Sequence, residues 1–189
     1  MKCEILNTYG TWRDVADACR TTIGKEAGTG EPSSKWKKQI LLAEHSPIRL
    51  LQVKAKWTEL PTWVSTHFVR HKFGIEHWVR SQRQEKTGIA RNSLSQDTRI
   101  THEFLANAQA IINISRKRLC NKASLETRDA WELFLVELKK IQPELVSVCV
   151  PECIYRGFCP EFKSCGYYKQ LDLMYVPYRL KDVLEFSID

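Results

Sequence analysis

The chain has 189 residues, 43% hydrophobic and 27% charged, which suits one globular domain with a core of its own. Lys and Arg outnumber Asp and Glu by 29 to 22, and the resulting net charge of +7 favours anionic partners: nucleotides, polyanionic cofactors or nucleic acid. No run of about 18 apolar residues is present to span a membrane. The start, Met1-Lys2-Cys3-Glu4-Ile5, lacks the apolar stretch of a signal peptide, so the chain reads as cytoplasmic. A basic surface without a dedicated partner is the plainer reading of charge alone. The lack of a Lys/Arg tract or basic–aromatic repeat argues against nucleic acid.

In chain order, Met1 to Asn7 reads as an edge strand. Thr11 is placed to cap a helix carrying Trp12, Val15, Ala16 and Cys19 on one side. Gly24 to Ser34 is rich in Gly, Pro and Ser and reads as a loop. Ser34 is expected to cap a helix through Trp36, Ile40, Leu41 and Ala43. Leu51, Val53, Ala55 and Trp57 alternate with Gln52, Lys54 and Lys56, the period of a half-buried strand. Pro61 fits the first turn of a helix through Trp63, Val64, His67 and Phe68 that stops near Gly74. The spacing of Phe104, Leu105, Ala108, Ile111 and Ile112 predicts one helix over Thr101 to Arg118, with Asn107 and Arg118 on a common face. Ser124 is expected to cap the next helix, whose stripe is Trp131, Phe134, Leu135, Leu138 and Ile141 and whose end is Pro143.

Three arginine-bearing pieces fall within this middle region. Arg70-His71-Lys72 is followed by Ser81-Gln82-Arg83. Next comes Ala90-Arg91-x-x-Leu94, and then Asn107-Ala108-Gln109-x-x-x-Asn113-x-x-x-x-Arg118. Guanidinium groups are permanently charged planar forks suited to phosphates and carbonyl oxygens, so the set points to a pocket for an anionic substrate. Taken singly, each arginine is more simply a solvated side chain, and each histidine a hydrogen-bonded structural one.

In order and spacing the set resembles the flavin-dependent thymidylate synthases of the ThyX type. That family carries Arg-His-Arg, then Ser-x-Arg, then Ala-Arg-x-x-Leu-Pro, then Asn-Ala-Arg-x-x-x-Asn/His and a further arginine. Arg91 and Asn107 are sixteen positions apart and Asn113 and Arg118 five, as in the family. His45-Ser46-Pro47 resembles its His/Thr-Ser-Pro turn, and the likeness runs from about Glu44 to Pro143. Here Lys72 and Gln109 stand where the family has arginines, and His67 where it has a pyrimidine-facing glutamine. Arg83 and Arg91 are eight apart where the family has several tens of residues.

The resemblance implies an α+β fold, a small mostly antiparallel sheet packed with helices, and a single domain over residues 1–189. It implies a homotetramer with active sites shared between subunits. The implied reaction is reductive methylation of dUMP to dTMP, with methylenetetrahydrofolate as carbon donor, FAD as hydride donor and NADPH as reductant. By the same resemblance, His67, Ser81, Arg83, Arg91 and Arg118 contact the substrate, with Arg118, Ser81 and His45 catalytic. Arg70, His71, Lys72, Asn107, Gln109 and Asn113 face the cofactor, and Glu44 or His45 lies near flavin or folate. His67 leaves open a C5-modifying relative, a hydroxymethylase or one acting on dCMP. A nucleotide- or nucleic-acid-binding relative without flavin is the non-catalytic alternative.

Cys149, Cys153, Cys159 and Cys165 form C-x3-C-x5-C-x5-C within residues 149–166. Four thiolates with Pro and Gly at the turns suit tetrahedral zinc. An iron–sulfur cluster or separate reduced cysteines are the alternatives.

Overall fold

The computed structural model describes residues 1–170, so the last part of the expected domain, 171–189, lies outside the described residues. Strand β1 (Lys2–Tyr9) leads through helix α1 (Trp12–Thr21) and α2 (Ser34–Ala43) to β2 (Gln52–Pro61), α3 (Thr62–Phe68) and β3 (Ile75–Val79). After a short helix α4 (Gln84–Thr87) come β4 (Arg99–Asn107), α5 (Ala108–Arg118) and α6 (Leu125–Lys139). Short helices α7 (Pro143–Ser147), α8 (Glu152–Arg156) and α9 (Tyr167–Gln170) follow. The four strands form one antiparallel sheet in the order β1-β2-β4-β3. The expected α+β architecture is the one observed.

The alternation in β2 sorts the sheet into two faces. Val53, Ala55 and Trp57 are buried with Ile100, His102, Phe104 and Ala106 of β4. The opposite face carries ion pairs instead, Lys54–Glu103 at 2.7 Å and Lys56–Glu4 at 3.2 Å. Trp57 stacks between Phe68 and Phe104 at centroid distances of 4.6 and 4.5 Å, and Trp131 and Phe134 of α6 close the aromatic core. The buried indole N–H groups find acceptors: Trp57 donates to the Ala130 carbonyl at 3.0 Å and Trp131 to Ser115 Oγ at 2.9 Å.

Several boundaries differ from the sequence expectation. Thr11 does cap α1, through a reciprocal bond pair with Asp14. The cap of α2 is Ser33, one residue earlier than expected. Pro61 precedes α3 as its cap residue, and α3 ends at Phe68, well before Gly74. The helix expected over Thr101 to Arg118 is half strand: residues up to Asn107 belong to β4, with Ile100, His102, Phe104 and Ala106 buried at period two, and α5 begins at Ala108. Strand β3 was not anticipated. Ile141 lies outside the α6 stripe and is exposed, and Pro143 opens α7 rather than ending α6.

Candidate functional site

The first arginine piece forms the turn between α3 and β3. His71 N–H donates to the Phe68 carbonyl at 2.9 Å, and Gly74 reverses the chain at φ +72°. A Cβ on Gly74 would lie 2.5 Å from Asn107 Nδ2, so close approach as well as backbone conformation demands glycine there. Asn107 N–H in turn donates to the Gly74 carbonyl at 2.9 Å.

Helix α5 brings Arg118 to the same turn from its far end. Arg118 Nε donates to His71 Nε2 at 3.0 Å, and Nη2 to the His67 carbonyl at 2.6 Å. Burial and the neighbouring Arg70 charge both depress the Arg118 pKa, which marks a half-buried cation with a like charge beside it. Among the described residues neither Arg118 nor Arg70 has a carboxylate partner. Burial, Arg118 and His77 together lower His71 to about 4, so it is neutral and its Nε2 is free to accept from Arg118. His67 is likewise lowered, first by burial and then by Arg118 and Arg70, and its Nδ1 meets Thr127 Oγ1 at 2.8 Å.

The other expected residues of α5 fall into a second group. Asn107 and Arg118 mark the two ends of α5. Asn107 caps the helix start by accepting from Ala110 N–H at 2.9 Å, and Arg118 closes the helix end, about 16 Å away at 1.5 Å per residue. Gln109 donates to Glu44 at 2.7 Å, and Asn113 accepts from Arg116 at 3.1 Å. Arg116 forms an ion pair with Glu44 and lies 3.3 Å over the Tyr155 ring. Burial opposes the Glu44 charge, but bonds from Arg116 and Gln109 outweigh it and hold the carboxyl below its ordinary range. Glu44 sits in left-handed backbone at φ 52° to make these contacts. Arg116 was not singled out in the sequence. Its place at i+7 from Gln109 and i+3 from Asn113, on one helix face, was the available signal.

The remaining expected residues are elsewhere. Ser81, Arg83 and Arg91 are exposed on the segment between β3 and β4. Ser81 Oγ accepts from Arg83 N–H at 3.3 Å, and Arg83 pairs loosely with Glu85 at 3.6 Å. Among the described residues no hydrogen bond or ion pair joins them to Arg118. The segment is anchored by Gln82, which donates to Thr62 Oγ1 at 2.9 Å. Lys72 is exposed beside Arg70. His45 precedes a short helical turn, Ser46–Leu50, and lines a separate cleft of about 800 Å3 with Trp36, Ile40 and Pro47.

Among the described residues no group of three or more His, Cys, Asp or Glu is placed to hold an ion. Cys149 is buried, its thiol pushed up to about 12 by desolvation and donating to the Leu145 carbonyl at 3.3 Å, so it is a protonated core side chain. Cys153 is buried, Cys159 half-buried and Cys165 exposed.

No protein-family model matches the chain. A flavin-dependent thymidylate synthase of Clostridium tetani is 35% identical over 74 residues, which is 39% of this chain and 29% of the relative. The match thus spans under a third of that curated relative. Two structures of ThyX from Helicobacter pylori with FAD and dUMP superpose with TM-scores of 0.64 and 0.66 at 15% and 13% identity. They cover 79% of this chain and 100% and 99% of theirs. A UMP/dUMP methylase, PolB from Streptomyces cacaoi, bound with 5-Br dUMP, superposes with a TM-score of 0.61 at 14% identity, covering 78% of this chain and 93% of its own.

Proposed function

We propose that this chain, a divergent ThyX-like protein by its fold and its matched segment, binds a pyrimidine deoxynucleotide and replaces the hydrogen at ring carbon C5. The observation that carries the reading is Arg118: a half-buried cation with Arg70 beside it and no carboxylate partner among the described residues. Two adjacent guanidinium groups repel each other, and an anion between them recovers that energy. The doubly charged phosphate of a nucleotide, or the charge that builds on a pyrimidine ring and its carbonyl oxygen during substitution at C5, meets that requirement.

The finer reading is reductive methylation of dUMP to dTMP, with methylenetetrahydrofolate and NADPH. FAD, when bound, supplies the hydride. Arg70 and Lys72, exposed and without partners among the described residues, fit a diphosphate. His71 N–H is held by Phe68 and Asn107 caps α5, so the turn itself is rigid before any ligand arrives. Gln109 and Asn113 are engaged with Glu44 and Arg116 and would keep that helix face ordered rather than present free cations. Ser81, Arg83 and Arg91 would complete the nucleotide site from a neighbouring copy, which accounts for their exposure in one chain and agrees with the expected homotetramer.

A second reading rests on His67. Its ring, with Nδ1 tied to Thr127, offers a different donor–acceptor pattern from an amide, which favours testing dCMP alongside dUMP. The experiment is calorimetric titration with dUMP, dCMP and deoxyuridine. The account expects a nucleotide to bind at least about tenfold more tightly than the phosphate-free nucleoside, the worth of one charge-assisted contact. Equal affinity for dUMP and deoxyuridine sinks the anion-binding role of Arg118 and Arg70.

A further inference from the structure

Beneath the Arg70–Gly74 turn lies a hydrogen-bonded chain of three side chains outside the motifs. Ser65 Oγ is 2.9 Å from His102 Nδ1, and His102 Nε2 is 2.9 Å from His77 Nδ1. His77 Nε2 is 3.0 Å from the His71 carbonyl oxygen. His102 is fully buried with its ring edge-on to Trp57, Phe68 and Phe104, and Ser65 is 3% exposed. His77 and His102 are diagonal cross-strand neighbours on one sheet face, His77 opposite Phe104 and His102 opposite Val79.

For neutral rings the direction of every bond follows from one fixed point. A carbonyl oxygen only accepts, so His77 Nε2 carries the proton. His77 Nδ1 is then an acceptor, and His102 Nε2 must donate to it. His102 Nδ1 is left to accept the Ser65 hydroxyl proton. Burial holds both rings below the ordinary histidine range, His102 at about 3, so the neutral arrangement persists. The chain thus ends as a single donor aimed at the main chain of His71, whose side chain accepts from Arg118.

We propose that Ser65, His102 and His77 are positioning residues: their one-way hydrogen-bond chain fixes the His71 carbonyl, and through His71 holds Arg118 in place for its anionic ligand. The ligand half of this statement rests on the nucleotide-binding reading above; the positioning half does not. Besides the local bond from His71 N–H to the Phe68 carbonyl, the turn is pinned at two points. His77 holds it at His71, and Asn107 holds it at Gly74. Remove the first and the His71 ring is free to leave Arg118, while the sheet, joined through β2 and β4, remains. A bound group misplaced by about 1 Å loses on the order of tenfold or more.

The test uses His77, which is half-buried on the edge strand, in preference to the core residue His102. His77→Phe removes donor and acceptor. His77→Gln keeps one of each and is the rescue variant. Histidine 15N spectra of the ligand-free protein are read first. The wild type should show His71 in a single tautomer with Nε2 unprotonated. In His77→Phe that signature should give way to tautomer averaging, and in His77→Gln it should return. The dUMP affinity is read second, and should fall about tenfold in His77→Phe and recover to within about threefold in His77→Gln. If His71 keeps its wild-type signature in His77→Phe, the positioning role is overturned, whatever the protein binds. If His71 changes as expected but wild-type protein takes up no dUMP, positioning stands and the nucleotide reading fails. Full dUMP affinity in a His77→Phe protein with altered His71 would overturn the link from His71 to the ligand.

Discussion

Replacing Arg118 with alanine separates an arginine that serves a ligand from one that serves the fold. The side chain donates to His71 Nε2 and the His67 carbonyl, and bonds of this charge-assisted kind contribute roughly 1.5 kcal/mol or more each, so about 3 kcal/mol is lost. Against this, the variant relieves the desolvation of a half-buried cation and its repulsion by Arg70, both of which lower the Arg118 pKa. Those penalties offset part of the lost bonds, so the expected net loss of stability is smaller than about 3 kcal/mol. Binding has no such offset. Loss of a guanidinium from phosphate or ring carbonyl costs roughly 1.5–3 kcal/mol, or about 10- to 150-fold in dUMP affinity. Urea unfolding measures the first number and calorimetric titration the second. A variant that loses 3 kcal/mol of stability and binds dUMP as the wild type does would show Arg118 to be a structural strut and refute the reasoning.

Acid stability follows from the buried histidines. His102, held at about 3, and His71, at about 4, stay neutral in the folded chain while their unfolded counterparts protonate near 6.5. No penalty exists above pH 6.5; below it, stability falls by up to about 1.4 kcal/mol per pH unit for each ring until its folded pKa is reached. Urea midpoints that stay flat between pH 7 and 5 would contradict the neutral assignment. Asn107→Ala removes the cap of α5 and should cost about 1 kcal/mol by urea unfolding, the usual worth of an Asn cap. Gly74→Ala sets a Cβ against Asn107 in left-handed backbone and should cost at least about 1 kcal/mol in the same assay. Treatment with a strong chelator should leave the melting midpoint unchanged, because Cys149 is a protonated core thiol and no ion-holding group is formed among the described residues. Release of one equivalent of zinc together with a drop in midpoint would restore the four-cysteine centre.

Elements whose signal is local were legible in the sequence. The Thr11 cap, the alternation through Trp57 and the Trp131–Leu138 stripe each depend on neighbours within one element, and each is found. The junction at Asn107 was not legible. Phe104, Leu105, Ala108, Ile111 and Ile112 mimic helical spacing across a strand and a helix, and the strand's own period was masked by His102, an ionisable residue at a core position. Strand β3 offers only Ile75 to the core, too little for a pattern. The pairing of Arg118 with His71 was not legible: the resemblance implied a substrate contact for Arg118 and a cofactor contact for His71, and no periodicity joins a turn to the end of a distant helix. Cross-strand contacts such as His77 with His102 depend on register, which no single strand carries. The substitution of Gln109 for an arginine acquires a physical setting only in three dimensions, where Arg116 supplies the cation that meets Glu44.

The most direct test of the central claim is release of tritium from dUMP labelled at C5, on incubation with FAD, methylenetetrahydrofolate and NADPH. Methyl and hydroxymethyl transfer both break the C5–H bond, so the account predicts label appearing in water at a rate that Arg118→Ala abolishes. Retention of the label by a protein that binds dUMP tightly would contradict C5 chemistry and leave a nucleotide-binding protein.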